Sequence, residues 1–429
     1  MPLSRDTAAA LDAADPLAPL RGLFALPTGL IYLDGNSLGA LPRATSGRLR
    51  EVVERQWGQG LIGSWNSAGW MAMPQRIGDR IAPLVGAAPG ELVVADSTSV
   101  NLFKVLSAAL AMQRDDAPGR RVIVSERSNF PTDLYIAQSL AAQHGATLRL
   151  VDRPGQIADA MTNDTSVLLL TQVNYRSGWL HDMAGLSHAA HVAGALTVWD
   201  LAHSAGALPV ALNADGADFA VGCGYKYLNG GPGAPAFVWV RPAHVGRFAQ
   251  PLSGWLGHAA PFEFSPGYRP AEGVARYLCG TPSVLAMAAL EVGVDTLHAA
   301  EPLGGMAALR AKSLAQTRLM AELVDSRCGG HGLRIVSPSD DARRGSQLSL
   351  SRDEGALAIV QALIARGVVG DFRAGDRSTA DGGDDILRLG VTPLYTRFVD
   401  VWDAVEHLRQ VLVSGQWREP RFGQREAVT

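Results

Sequence analysis

Two neighbouring stretches, ALTVWDLAH (195–203) and FAVGCGYKYLNGGPGAPAFVWV (219–240), decide the fold. ALTVWD (195–200) is short and apolar and stops on an acid, Asp200; FAVGCG (219–224) and APAFVWV (234–240) have the same character. Apolar runs of this length, without polar alternation, predict strands buried on both faces. Working outward, RVIVSE (121–126), TLRLV (147–151) and SVLLLTQ (166–172) predict further strands, with helical patterns at about 131–144 and 183–194 among them. Strands alternating with helices predict an α/β domain with a mostly parallel sheet. In such sheets ligands sit at the carboxyl ends of the strands.

From about residue 290 the pattern changes. GGMAALRAKSLAQTRLMAELVDS (304–326) predicts a long helix, and QLSLS (347–351), ALAIVQALIARG (356–367), ILRLG (386–390) and VDVWDAVEHLRQVLV (399–413) predict shorter elements of an α+β unit. The chain of 429 residues is too long for one simple core. It divides on this reading into an N-terminal segment (1–55), a large domain (56–290) and a small C-terminal domain (291–429). The polar tail after about Trp417 reads as frayed.

With 38 basic and 41 acidic residues the chain has no electrostatic footprint for a polyanion, and no basic run suits a membrane surface. A small-molecule partner is expected, not a nucleic acid or a membrane. No window approaches ~18 uninterrupted apolar residues, and the N-terminus lacks a signal-peptide pattern. Cys223, Cys279 and Cys328 are odd in number and far apart, which points to a reducing cytoplasm. The histidines show no metal-ligand spacing, so no metal is expected.

Chemistry is expected at the strand ends. Lys226 follows an apolar strand and precedes Gly230, Gly231 and Gly233. Alone it reads as a solvated loop lysine, and Asp200 alone reads equally as a helix cap. Together they supply what pyridoxal 5'-phosphate (PLP) requires: an amine for the aldehyde and a carboxylate for the pyridine nitrogen. Thr98 and Ser99 precede a strong helix pattern (100–112), and hydroxyls with free N–H groups at a helix start make an anion site. Phe130, in NFPTD (129–133), follows a strand end, where its ring could lie against a pyridine; Asp133 sits at an apparent helix start.

These residues carry a resemblance. YKYLNGG, DLAH, FPTD and STSVNL, with LDGNSLG (33–39), GSWNSAGW (63–70), GWLGH (254–258) and LRLGVTPLY (387–395), together resemble the kynureninase family from about residue 30 to 415. The resemblance implies fold type I, the aspartate aminotransferase-like architecture of PLP enzymes, and a cytoplasmic homodimer with its active site at the subunit interface. It implies hydrolysis of L-kynurenine to anthranilate and L-alanine in tryptophan degradation. By the same resemblance Lys226 binds the cofactor as a Schiff base, Asp200 pairs with the ring nitrogen with Asp133 close by, and Phe130 stacks on the ring. Thr98, Ser99 and Tyr225 serve the phosphate, and Trp255 and Thr281 reach it from the partner subunit. Thr171 and His203 line the cofactor site. Arg388, with Ser37, takes the substrate α-carboxylate, and Trp65 meets its aromatic end. Tyr225 is also the candidate acid–base partner of Lys226.

The family often has Asn at the position of Thr281, and animal members carry a His near Trp65; the second departure leans toward kynurenine over its 3-hydroxy form. Other fold-type I enzymes stay open as alternatives, such as an aminotransferase or a cysteine desulfurase using Cys328. So does a catalytically dead scaffold of the same fold.

Overall fold

Seven strands form the sheet that the apolar runs predict. In the computed structural model, which describes residues 4–247, 250–375 and 383–425, they are Leu92–Ala95, Val122–Glu126, Thr147–Val151, Thr165–Thr171, Leu196–Asp200, Phe219–Gly222 and Ala236–Val240. Only Ala236–Val240 runs against its neighbours; the other pairings are parallel. In space the sheet begins with Leu92–Ala95, then Ala236–Val240, Phe219–Gly222, Leu196–Asp200, Thr165–Thr171 and Val122–Glu126, and ends on Thr147–Val151. Helices cover it, because its central strands are buried on both faces. Helix Thr98–Asp116 supplies Leu102, Val105, Leu106 and Ala109 to a core with Val167, Val198, Phe219 and Val238.

This sheet belongs to a compact unit of residues 44–175 and 181–294; a second unit gathers residues 1–43, 176–180 and 295–429. The second unit holds a four-stranded antiparallel sheet in the order Asp371–Arg373, Ile386–Gly390, Gln347–Ser351, Arg334–Ile335. Leu348, Leu350, Leu387 and Leu389 point from it into a core with Ile359, Leu363, Val401, Val405 and Leu408.

Two sequence expectations need correction here. The N-terminal 1–55 segment does not stand apart as one piece. Its first 43 residues pack into the second unit, where Ile31–Tyr32 pairs in parallel with Val368–Val369. Asp12 also accepts hydrogen bonds from the N–H groups of Phe398 and Val399, so an N-terminal side chain caps the last long helix. The tail is ordered through Arg425. Trp417 and Phe422 are buried in the same core, and Arg352 and Arg418 lie over the Trp417 ring. A charged stretch hid two buried aromatics; residues 426–429 lie outside the described residues. No helix among the described residues is long and apolar enough to cross a membrane.

Candidate active site

Thr171 and Asp200 end adjacent parallel strands and stand directly opposite in register. Past the end of the next strand, Cys223 to Lys226 leave the sheet at the same carboxyl edge. A tight loop holds the lysine there. Asn229 N donates to Lys226 O and Gly230 N to Gly224 O, both at 2.9 Å. Position 224 must be glycine, because a Cβ would fall 2.1 Å from the Pro235 carbonyl oxygen. The Lys226 Nζ lies 2.9 Å from His203 Nε2 and 5.7 Å from the centre of the Phe130 ring.

Asp133 and Asp200 are buried and hydrogen-bonded to each other. Asp200 also accepts from Ala202 N at 2.7 Å, and Asp133 from Thr171 Oγ1 at 3.3 Å. Burial pushes both carboxyls above the usual carboxylate range. The charge of Asp200 adds to the rise at Asp133, while the Lys226 ammonium pulls Asp200 back. Two adjacent carboxyls in a dry site hold a proton between them unless a cation arrives. A protonated pyridine ring is such a cation, so this donor set suits PLP.

Another part of the cavity lining suits a phosphate. Ser97 caps helix Thr98–Asp116, accepting from Val100 N at 3.3 Å, and Thr98 and Ser99 form the first turn. Helix N–H groups and two hydroxyls therefore face one anion site. Lys104, fully buried on this helix, anchors it by donating to Asp96 at 2.5 Å and to the Tyr277 carbonyl at 2.6 Å.

Thr98, Ser99, Phe130, Asp133, Thr171, Asp200, His203, Tyr225 and Lys226 thus line one cavity of about 590 Å³, its open mouth included. Sequence reading missed two residues here. Tyr175 meets the Phe130 ring edge-on at 5.3 Å. Asn129 accepts from Thr171 Oγ1 and, at 2.7 Å, from Phe130 N, and donates to Ser125 Oγ at 3.2 Å. Its place directly before Phe130 was the one available signal.

Trp255, Thr281 and Trp65 do not line that cavity in their own chain. Trp65 stands edge-on to Trp70 and Trp255, with ring centres 5.9 and 6.2 Å away. Thr281 is exposed and borders a separate cleft with Asp96, Ser97 and Cys279. Arg388 and Ser37 meet in the second unit, Arg388 Nη2 donating to Ser37 Oγ at 2.7 Å. Cys328 is buried where helix Gly305–Arg327 ends, and burial pushes its thiol up to about 11, the reverse of what a reactive cysteine needs.

The chain is similar to known proteins along almost its whole length. A family model, the kynureninase C-terminal domain, matches residues 309–408. A kynureninase of Burkholderia pseudomallei (strain K96243) is 55% identical over 428 residues, spanning 99% of this chain and 100% of that protein. One from Pseudomonas fluorescens is 53% identical over the same span. Among solved structures, a cysteine desulfurase from Thermococcus onnurineus NA1 superposes with a TM-score of 0.76 at 18% identity, over 92% of this chain and 98% of that one. A C-DES variant with glycine covalently linked to its PLP cofactor gives 0.76 at 17%, over 91% and 98%. At such identities these structures speak for the fold, which is that of fold-type I PLP enzymes. The curated relatives match more than half of all positions from end to end, and on that ground the chain belongs to the kynureninase family.

Proposed function

We propose that the protein is a PLP-dependent kynureninase, adding water across the bond between the β-carbon and the aryl ketone carbon of L-kynurenine to give anthranilate and L-alanine. The observation that carries this is the cavity in which Lys226, His203, Asp133 and Asp200 meet, in a chain matching kynureninases along its whole length. Bound PLP supplies an electron sink for charge released at the substrate's α-carbon. Lys226 holds the cofactor's aldehyde end, Asp200 with Asp133 its ring nitrogen, and Thr98 and Ser99 its phosphate. Phe130, about a third exposed at the cavity wall, would lie against the ring.

The remaining roles belong to side chains acting on the substrate. Lys226 moves a proton at the α-carbon, and its 2.9 Å contact with His203 Nε2 gives that proton an exchange partner. Tyr225, next to it, serves proton transfer at the ketone oxygen as water adds there. Arg388 fixes the α-carboxylate as a planar fork, assisted by Ser37. Trp65 packs against the aromatic end, and the lack of a neighbouring His favours kynurenine over 3-hydroxykynurenine. The enzyme acts as a cytoplasmic homodimer, with Trp255 and Thr281 serving the partner's phosphate site; their absence from their own chain's cavity supports that role. A desulfurase role has little support, because Cys328 is buried and held as a thiol.

The test is direct. Purified protein is mixed with PLP and L-kynurenine, anthranilate fluorescence is followed, and 3-hydroxykynurenine is run in parallel. Anthranilate should form, more readily than the hydroxylated product does from its own substrate, and Lys226→Ala should abolish both. Absence of product in protein that shows the absorbance of bound PLP would overturn the assignment while leaving the cofactor site intact.

A further inference from the structure

Asn129 is buried, and its amide is fixed at both ends. Oδ1 accepts from Phe130 N at 2.7 Å, and Nδ2 donates to Ser125 Oγ at 3.2 Å. Ser125 Oγ passes its own hydrogen to Leu169 O at 2.7 Å, which leaves it an acceptor toward the amide. A flipped amide would set an N–H against the Phe130 N–H, so the backbone dictates which side carries the oxygen. The same Oδ1 meets Thr171 Oγ1. Thr171 Oγ1 also lies 3.3 Å from Asp133 Oδ2.

The hydrogens around these oxygens can be counted. A hydroxyl has one hydrogen to give and lone pairs with which to accept. The Asn129 oxygen has none to give, so its contact with Thr171 takes the threonine's hydrogen; it is also the nearer of the two contacts. Taken alone, the second contact would make Asp133 an acceptor. With the hydroxyl committed to Asn129, Thr171 turns a lone pair toward Asp133. The other oxygen neighbour of Asp133 belongs to Asp200. Burial raises both carboxyls, but at Asp200 the Lys226 ammonium and the Ala202 N–H, at 2.7 Å, favour the charged form. Asp133 therefore faces two acceptors, and the one proton of the pair has its donor there. Burial and then the charge of Asp200 act in the same direction, pushing the Asp133 carboxyl well above the usual range.

We propose that Asn129 is a positioning residue for the cofactor site: by engaging the Thr171 hydroxyl it keeps the proton of the acid pair on Asp133 and the negative charge on Asp200. This deepens the reading of Asp200 as the partner of the PLP ring nitrogen and rests on it. Asn129 does not line the cavity; it acts through Thr171.

The experiment follows the isotope-labelled aspartate carboxyl carbons of the holoenzyme by NMR, the two signals being assigned by their loss in Asp133→Asn and Asp200→Asn. At neutral pH Asp133 should give the signal of a protonated acid and Asp200 that of a carboxylate. In Asn129→Ala the Thr171 hydroxyl turns to Asp133 and stabilises its charged form. Asp133 should then lose its proton at a pH about one unit lower or more, the roughly tenfold change that a hydrogen bond to a charged group brings. Lys226, His203 against its Nζ, and Cys223, whose thiol burial pushes up, are the other titratable groups around the pair; they are common to wild type and variant, so the difference reads Asn129. In a Thr171→Val background Asn129→Ala should shift the titration no further. Equal titration of Asp133 in wild type and Asn129→Ala overturns the proposal, and so does a wild-type proton on Asp200. A purely structural role, fastening the turn that carries Phe130, would lower thermal stability and PLP affinity while leaving the titration in place. If Asn129→Ala does not fold, Thr171→Val decides by sign. Removing an acceptor from a protonated Asp133 lowers its titration; removing a donor from an ionised one raises it and overturns the proposal. Asp200→Asn tests the underlying reading separately: PLP affinity and bound-PLP absorbance equal to wild type would defeat Asp200 as the ring-nitrogen partner, whatever Asp133 does.

Discussion

Asp34 joins the charge cluster around Arg388 to the pH of the solution. Its carboxyl titrates near 7 in the folded chain, against ~3.9 for an unfolded aspartate. For an acid raised in this way, the linked stability is full below the unfolded value and is lost as pH rises toward the folded one. Of the groups facing it, Tyr32, Tyr395 and Asp371 do not change charge between pH 5 and 8, since burial pushes the two tyrosines up and Asp371 is held below the usual range by Arg388 and Arg373 despite its burial. Wild-type thermal stability should therefore fall between pH 5 and 8 by more than that of Asp34→Asn, as read by melting curves across that range. Equal slopes would show that the proton is held elsewhere. The KM should rise over the same interval, because an ionised Asp34 competes with the substrate for the arginines.

Residues of this kind mark the boundary of what the sequence makes legible. Lys226 and Asp200 were readable because each follows an apolar strand, so position alone puts them at the ligand edge. Arg388 and Ser37 came only through family likeness. Asp34 lay unremarked inside the LDGNSLG segment, and Asp371 gave no sign, because its role depends on partners elsewhere in the chain, Ser37 being 334 positions away.

At the scale of elements, continuous burial made the central strands readable to within a residue or two: Leu196–Asp200, Gln347–Ser351 and Ile386–Gly390 fall where their apolar patterns place them. Short edge elements were passed over. Leu92–Ala95 has four residues, and Asp371–Arg373 has three with a charge at each end. Their strand character comes from the neighbour they pair with, which a local window does not contain. The loop after Phe219–Gly222 is different, because Gly224 and Gly230 are fixed by contacts that a side chain would break. In Gly224→Ala the new methyl meets backbone, with no flexible side chain to yield, so the loop and Lys226 must shift together. Affinity for PLP should drop by about tenfold or more, since small displacements of a site group are costly. Titrating the apoprotein with PLP measures this. An affinity equal to wild type would mean that the loop relaxes without moving the lysine.

For the whole molecule the question is whether one chain makes a complete site. The rings of Trp65, Trp255, Phe262 and Phe264 form a chain of edge-on contacts that ends on a Phe264 side chain 81% exposed. Ile62, in the segment just before Trp65, is exposed to the same degree. Large apolar groups left in water near site residues mark an association surface, and symmetric pairing is the commonest way that soluble chains cover one. If Trp255 and Thr281 serve the partner's phosphate, two damaged chains should repair one another. A Lys226→Ala chain lacks the cofactor lysine but keeps its contribution to the other site. A Trp255→Ala/Thr281→Ala chain has the reverse defect. In a mixed dimer both lesions fall on one site and the second site is intact, so unfolding and refolding the two variants together should recover kynurenine hydrolysis beyond the sum of the parents. Were Trp255 and Thr281 to act within their own chain, every site in the mixture would carry one lesion or the other, and refolding them together would add nothing.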